Sequence, residues 1–94
     1  MRVFLSGPIT NDPNYKEHFG SVAEKLTAKG HVVLNPAILP KGLETEEYMS
    51  LGLDMMDLCD CICMLKGWKD SRGANVEYEY AKYCGKIISF EGGN

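Results

Sequence analysis

The sequence predicts an α/β fold, a three-layer α-β-α sandwich around a four-stranded, mainly parallel sheet of the flavodoxin or Rossmann-like kind. Three observations carry this. Short apolar runs alternate with stretches whose apolar residues recur at helical spacing, giving the order β-α-β-α-β-α-β that favours right-handed crossovers. The run Cys61-Ile62-Cys63-Met64-Leu65 is continuously apolar, as expected of an inner strand covered on both faces. Two polar, glycine-containing loops follow directly on strands, at the carboxyl edge where open α/β sheets bind ligands.

Taken in order, Val3-Phe4-Leu5 is the first strand, stopped by Gly7-Pro8. From Tyr15 to Ala28, the residues Phe19, Val22, Ala23 and Leu26 mark one face of a helix that Gly30 ends. His31-Val32-Val33-Leu34 is the second strand, and residues 37–43, with Pro40 and Gly42, are expected to be irregular. Thr45 followed by Glu46-Glu47 starts a second helix with its acids near the positive end of the dipole, continuing through Met49, Leu53, Met56 and Leu58. After the strand at 61–65, residues 66–72 form a polar loop containing Trp68. A third helix is expected from Ala74 to Cys84, then the strand Lys86-Ile87-Ile88-Ser89-Phe90 and a frayed tail, Gly92-Gly93-Asn94.

Ninety-four residues make one domain, 1–94, with an adequate but thin core. The net charge is −3 and the ten Lys and Arg are scattered, which argues against nucleic acid as a partner, since phosphate neutralisation wants a concentrated basic face. No apolar run approaches the roughly 20 residues that span a membrane, so no membrane partner and a cytoplasmic location are expected. Cys59, Cys61 and Cys63 read as small buried hydrophobes of a reducing compartment. His18 and His31 lack partners at zinc-ligand or catalytic spacing and read as structural or surface residues.

The stretch Ser71-Arg72-Gly73-Ala74-Asn75-Val76-Glu77 carries the candidate chemistry. Glu77 shares a helix face with Ala81 and Cys84, directed at the sheet, where a carboxylate needs a partner, a ligand or a solvated cleft. The structural alternative is that Glu77 caps its own helix or forms a salt bridge. Ser71 either caps the helix or joins its free N–H groups in binding an oxyanion, and Gly73 allows close backbone approach. Ser6, Gly7, Pro8 and Thr10 form the other half of the crevice or a plain strand-ending turn. Trp68 stacks on a base or sugar, or else seals the end of the core. Asp54, Asp57 and Asp60 recur every third residue without converging on a metal, so no metal is expected; Asp54 is the candidate acid–base partner of Glu77. The Lys and longer glycine pattern of a P-loop are missing, as is the dinucleotide fingerprint, and no cofactor is expected.

The pieces Phe4-Leu5-Ser6-Gly7-Pro8, Asp60 and Ser71-x-Gly73-x-x-x-Glu77 with Ala81, in that order, resemble the nucleoside 2-deoxyribosyltransferase superfamily. It includes transferases that exchange nucleobases and hydrolases that cleave deoxynucleoside 5′-monophosphates. The variant Trp68-x-x-Ser71-x-Gly73-Ala74 looks like that of a small phage and bacterial branch. The resemblance implies that 1–94 is a single nucleoside 2-deoxyribosyltransferase-like domain. It further implies that Glu77 attacks the anomeric carbon, through a glycosyl intermediate resolved by water or a second base. Ser71 matches a phosphate-contacting Ser of the hydrolases, where the transferases carry Asp. The implied partner is a small-molecule nucleoside or nucleotide, and the implied assembly a homodimer or higher homo-oligomer. Two departures stand out. The family's Asp, eight residues before the position of Asp60, is Gly52 here, with Asp54 two positions later. The usual first-loop Tyr is absent, with Tyr15 at most an indirect replacement. The second function left open is a non-catalytic nucleotide-binding or regulatory module.

Overall fold

Strand β1 (Arg2–Ser6) is buried from Val3 onward, and its period of two sends Val3 and Leu5 to one side and Phe4 to the other. In the computed structural model, which describes residues 1–93, β1 pairs with β2 (Val32–Leu34) and β3 (Cys61–Met64), and β3 pairs with β4 (Ile87–Phe90). All pairings are parallel and the order is β2-β1-β3-β4, so the α-β-α sandwich expected from the sequence is the fold observed.

Helix α1 (Tyr15–Ala28) covers one face, where Phe19 and Val22 pack with Val3, Leu5, Cys61 and Cys63. Helices α2 (Thr45–Asp57) and α3 (Arg72–Tyr83) cover the other, where Met56, Ala74 and Ala81 pack with Phe4, Ile62 and Met64. The continuous apolar run of β3 is thus needed: its alternate side chains enter two different cores. The cysteines at 59, 61 and 63 are free and buried, and burial pushes the Cys59 and Cys63 thiols up, away from the reactive thiolate.

Element ends differ from the sequence expectation for local reasons. Helix α3 begins at Arg72 rather than Ala74 because the Ser71 hydroxyl accepts the Ala74 N–H at 3.2 Å. Helix α2 stops at Asp57, leaving Leu58 58% exposed beyond it, and at its start the Glu47 carboxylate accepts the Glu44 N–H at 2.8 Å. The stretch at 37–43 is less irregular than expected. It opens in a 3₁₀ turn, Pro36–Ile38, under an Asn35 cap, and the Tyr48 hydroxyl holds it by donating to the Pro40 carbonyl at 2.6 Å. Glu91–Gly93 form a tight turn, with Gly92 and Gly93 at positive φ, instead of a frayed end, whereas Asn94 lies outside the described residues. Glu91 ties that turn down: its Oε1 accepts the Lys66 N–H at 2.8 Å and lies 2.7 Å from His18 Nε2. His18 is therefore a structural bridge between α1 and the end of β4.

Phe4 is fully buried on the central strand. Truncating it with Phe4→Ala is expected to cost about 3–5 kcal/mol in urea unfolding, the usual penalty for emptying an aromatic core site.

Candidate active site

Strand β1 leads by α1 to β2 on one side, whereas β3 leads by α3 to β4 on the other. This reversal opens a crevice at the carboxyl ends of the two central strands. A cleft of about 830 Å³ occupies it. The first loop contributes Ser6, Gly7, Pro8 and Thr10; the start of α3 contributes Ser71, Gly73 and Glu77; the loop after β2 contributes Leu39 and Lys41.

The floor holds the decisive pair. Ser6 Oγ donates to Glu77 Oε1 at 2.6 Å, joining two residues 71 positions apart. Ser6 is 1% exposed and cannot turn to water. With α3 starting at Arg72, Glu77 lies in its second turn, beyond reach of the free N–H groups, so capping of its own helix is excluded. Burial pushes the Glu77 carboxyl up to about 7, against the opposing pull of the Ser6 hydrogen bond. The carboxyl's second oxygen, Oε2, has no hydrogen-bond partner among the described residues and lies against Gly52 of α2.

The remaining sequence-predicted residues divide. Ser71 both caps α3 and lines the cleft. Gly7 is needed for packing, since a Cβ there would stand 2.8 Å from the Leu65 Cβ. Gly73 is helical rather than left-handed and brings α3 close to Met49. Tyr15 lines the cleft from the first turn of α1. Two residues lie elsewhere. Trp68 stacks on Tyr78 at 4.7 Å between centroids and faces Phe90 at 6.2 Å, sealing the core instead of lining the cleft. Asp54 is exposed and does not line the cleft: helical rotation by two residues from buried Gly52 carries it to the outer face of α2.

Sequence reasoning missed Lys41, Arg72 and Tyr48, which line the same cleft. Arg72 adjoins Ser71 and was within reach of a sequence argument, and Tyr48 shares the face of Gly52 at helical spacing. Lys41 arrives only through the folded loop that Tyr48 pins. Neither Lys41 nor Arg72 is engaged in an ion pair among the described residues. Lys41, Arg72 and the amino end of α3 bring positive charge to the cleft lining, to which Asp70 adds a negative charge. Among the described residues no group of His, Cys, Asp and Glu is arranged to hold a metal, and no helix is long and apolar enough to cross a membrane.

This architecture defines a class, the nucleoside 2-deoxyribosyltransferase-like α/β fold. A 2-deoxyribosyltransferase from Leishmania mexicana superposes with a TM-score of 0.75 at 21% identity, over 95% of this chain and 62% of that one. The CMP N-glycosidase BcmB of Clostridium botulinum superposes with a TM-score of 0.71 at 24% identity, over 96% of this chain and 70% of that one. The chain thus spans less than two thirds of the Leishmania protein, and both likenesses are likenesses of fold. No curated protein sequence matches it. The chain belongs to the family described as "Domain of unknown function (DUF4406)", whose model matches residues 1–90.

The raised Glu77 carboxyl has a consequence for stability. A carboxyl whose folded value exceeds its unfolded one contributes stability that is full below about 4.5 and is lost as pH rises through about 7. Glu77→Gln keeps the Ser6 acceptor and removes the charge. It is expected to raise stability at pH 8 by on the order of 2 kcal/mol, since each tenfold gain in proton affinity on folding is worth about 1.4 kcal/mol and water at the cleft screens part of it. At pH 4 it is expected to change little. Urea unfolding at the two pH values checks this.

Proposed function

We propose that the protein cleaves or exchanges the N-glycosidic bond of a deoxynucleotide or deoxynucleoside, with Glu77 as the nucleophile. The observation that carries this reading is the Ser6–Glu77 pair, a carboxyl fixed at the floor of a cleft large enough for a nucleotide. An oxygen of ionised Glu77 attacks the anomeric carbon. The new C–O bond forms as the C–N bond breaks, and the electron pair leaves with the nucleobase, which takes a proton from water. Water or a second base then attacks the same carbon and frees the carboxylate. Ser6 keeps the attacking group oriented, and partial burial withholds the water that would stabilise its charge.

The rim argues for a nucleotide over a nucleoside. Lys41, Arg72, Ser71 and the amino end of α3 all line the cleft and favour an anionic group such as a phosphate. The fold likeness to a CMP N-glycosidase supports this chemistry without fixing the base. A homodimer belongs to the same reading, supported by Ile9 and Val76, which line the cleft while 38% and 51% exposed.

One observation favours a second reading, a nucleotide-binding module without turnover. Gly52 puts no acid beside Glu77, and Asp70 is the other carboxylate lining the cleft. Base release separates the two readings.

Chromatographic assay of free base from a panel of deoxynucleoside monophosphates is expected to find turnover that Glu77→Ala lowers at least about 10³-fold. A folded Glu77→Ala protein with undiminished release would exclude the assigned role. Because the ionised form attacks, kcat/KM is expected to rise with pH and level off above about 7. Ser6→Ala removes the contact that holds the Glu77 carboxyl down, and so moves that limb to higher pH. Ser71→Ala is expected to weaken monophosphate binding roughly tenfold, and nucleoside binding much less, in calorimetric titration.

A further inference from the structure

Gly52 lies in the interior of α2, is buried, and has ordinary helical backbone geometry with no positive φ. Nothing in its conformation requires glycine, and glycine weakens a helix interior relative to alanine. The reason lies across the cleft floor. A Cβ at position 52 would stand 2.7 Å from Glu77 Oε2 and 3.8 Å from the Phe4 ring. The first distance is below any real carbon–oxygen contact, and the atom that must yield is the end of the Glu77 side chain.

We propose that Gly52 is a positioning residue for Glu77: the bare backbone of α2 at this point seats Oε2, so that Oε1 stays on Ser6 and the carboxyl remains at the cleft floor. Any side chain at 52 turns the carboxyl outward, off Ser6 and toward water. The groups facing Glu77 are few. Strand β1 presents the neutral Ser6, and α2 presents the backbone of Gly52. The charged residues lining the cleft are Lys41, Asp70 and Arg72, and Tyr15 and Tyr48 supply its phenols. Asp54 of α2 is on the outside. With so little charge at the floor, the ionisation of Glu77 is governed by how far its carboxyl is withdrawn from water, and that withdrawal is what Gly52 permits. The functional consequence rests on Glu77 being the reacting group; the seating itself does not.

The test is therefore made first without substrate. The Glu77 carboxyl carbon is followed by NMR through a pH titration in the unmodified protein, in Gly52→Ala and in Glu77→Gln, the last assigning the signal. The unmodified protein is expected to titrate near 7, and Gly52→Ala well below it, toward the ordinary carboxylate range. An unchanged midpoint in folded Gly52→Ala overturns the proposal. A thermal-unfolding cycle supplies the second measurement. Adding Gly52→Ala to Glu77→Ala, where the clash is gone, is expected to raise Tm more than adding it to the unmodified protein. If Gly52→Ala alone does not fold, the double variant is expected to fold, and a double variant equally unfolded overturns the proposal. Base release then reads the other claim. A shifted titration with full turnover leaves the seating standing and removes Glu77 from the chemistry.

Discussion

A single hydrogen bond, from the Ser6 hydroxyl to a Glu77 oxygen at 2.6 Å, ties the end of the central strand to the second turn of the third helix. Much of the structure is arranged to make that bond possible. The parallel pairing of β1 and β3 carries Ser6 and the loop after Met64 to the same sheet edge. Ser71 caps the start of α3, and the burial of Ala74 and Ala81 against the sheet sets the rotation that turns Glu77 inward. Gly52 removes the one side chain that would collide with the carboxyl.

The arrangement works against stability. A carboxyl partly withdrawn from water resists ionisation, and among the described residues one neutral hydroxyl offsets the lost hydration. In a chain of 94 residues the core has little surplus to absorb such a cost. Glycine in the middle of α2 adds to it. Two unfavourable choices, a half-buried acid and a helix-interior glycine, meet at one cleft. Features that cost stability and converge in space are where a ligand or a reaction repays them.

Much of the fold was legible because the signals were periodic. The alternation in β1, the continuous run of β3 and the helical spacing of Phe19, Val22 and Leu26 each encode a buried face directly. The inward direction of Glu77 followed from the same spacing with Ala81, which is fully buried, whereas Cys84, placed on that face by the same spacing, is exposed at the helix end. What failed was tertiary. Trp68 had two roles open, and only the neighbouring Tyr78 and Phe90 rings decide between them. Asp54 drew attention as the nearest acid to a missing one, but a two-residue offset on a helix turns a side chain to the opposite face. Lys41 was hidden because its place depends on a loop held by Tyr48, and no local pattern encodes a loop's destination. Gly52, noted in the sequence as an absence, proves to be a contact.

The central claim is that Glu77, held by Ser6, faces the reacting carbon of a bound deoxynucleotide. A crystal structure with a non-cleavable deoxynucleoside monophosphate analogue tests it most directly. The account predicts the anomeric carbon at about 3–3.5 Å from a Glu77 oxygen, with the Ser6 contact intact and the phosphate at the amino end of α3. A sugar bound away from the end of β1, or a Glu77 carboxyl turned from Ser6 into solvent when the ligand is in place, would contradict it.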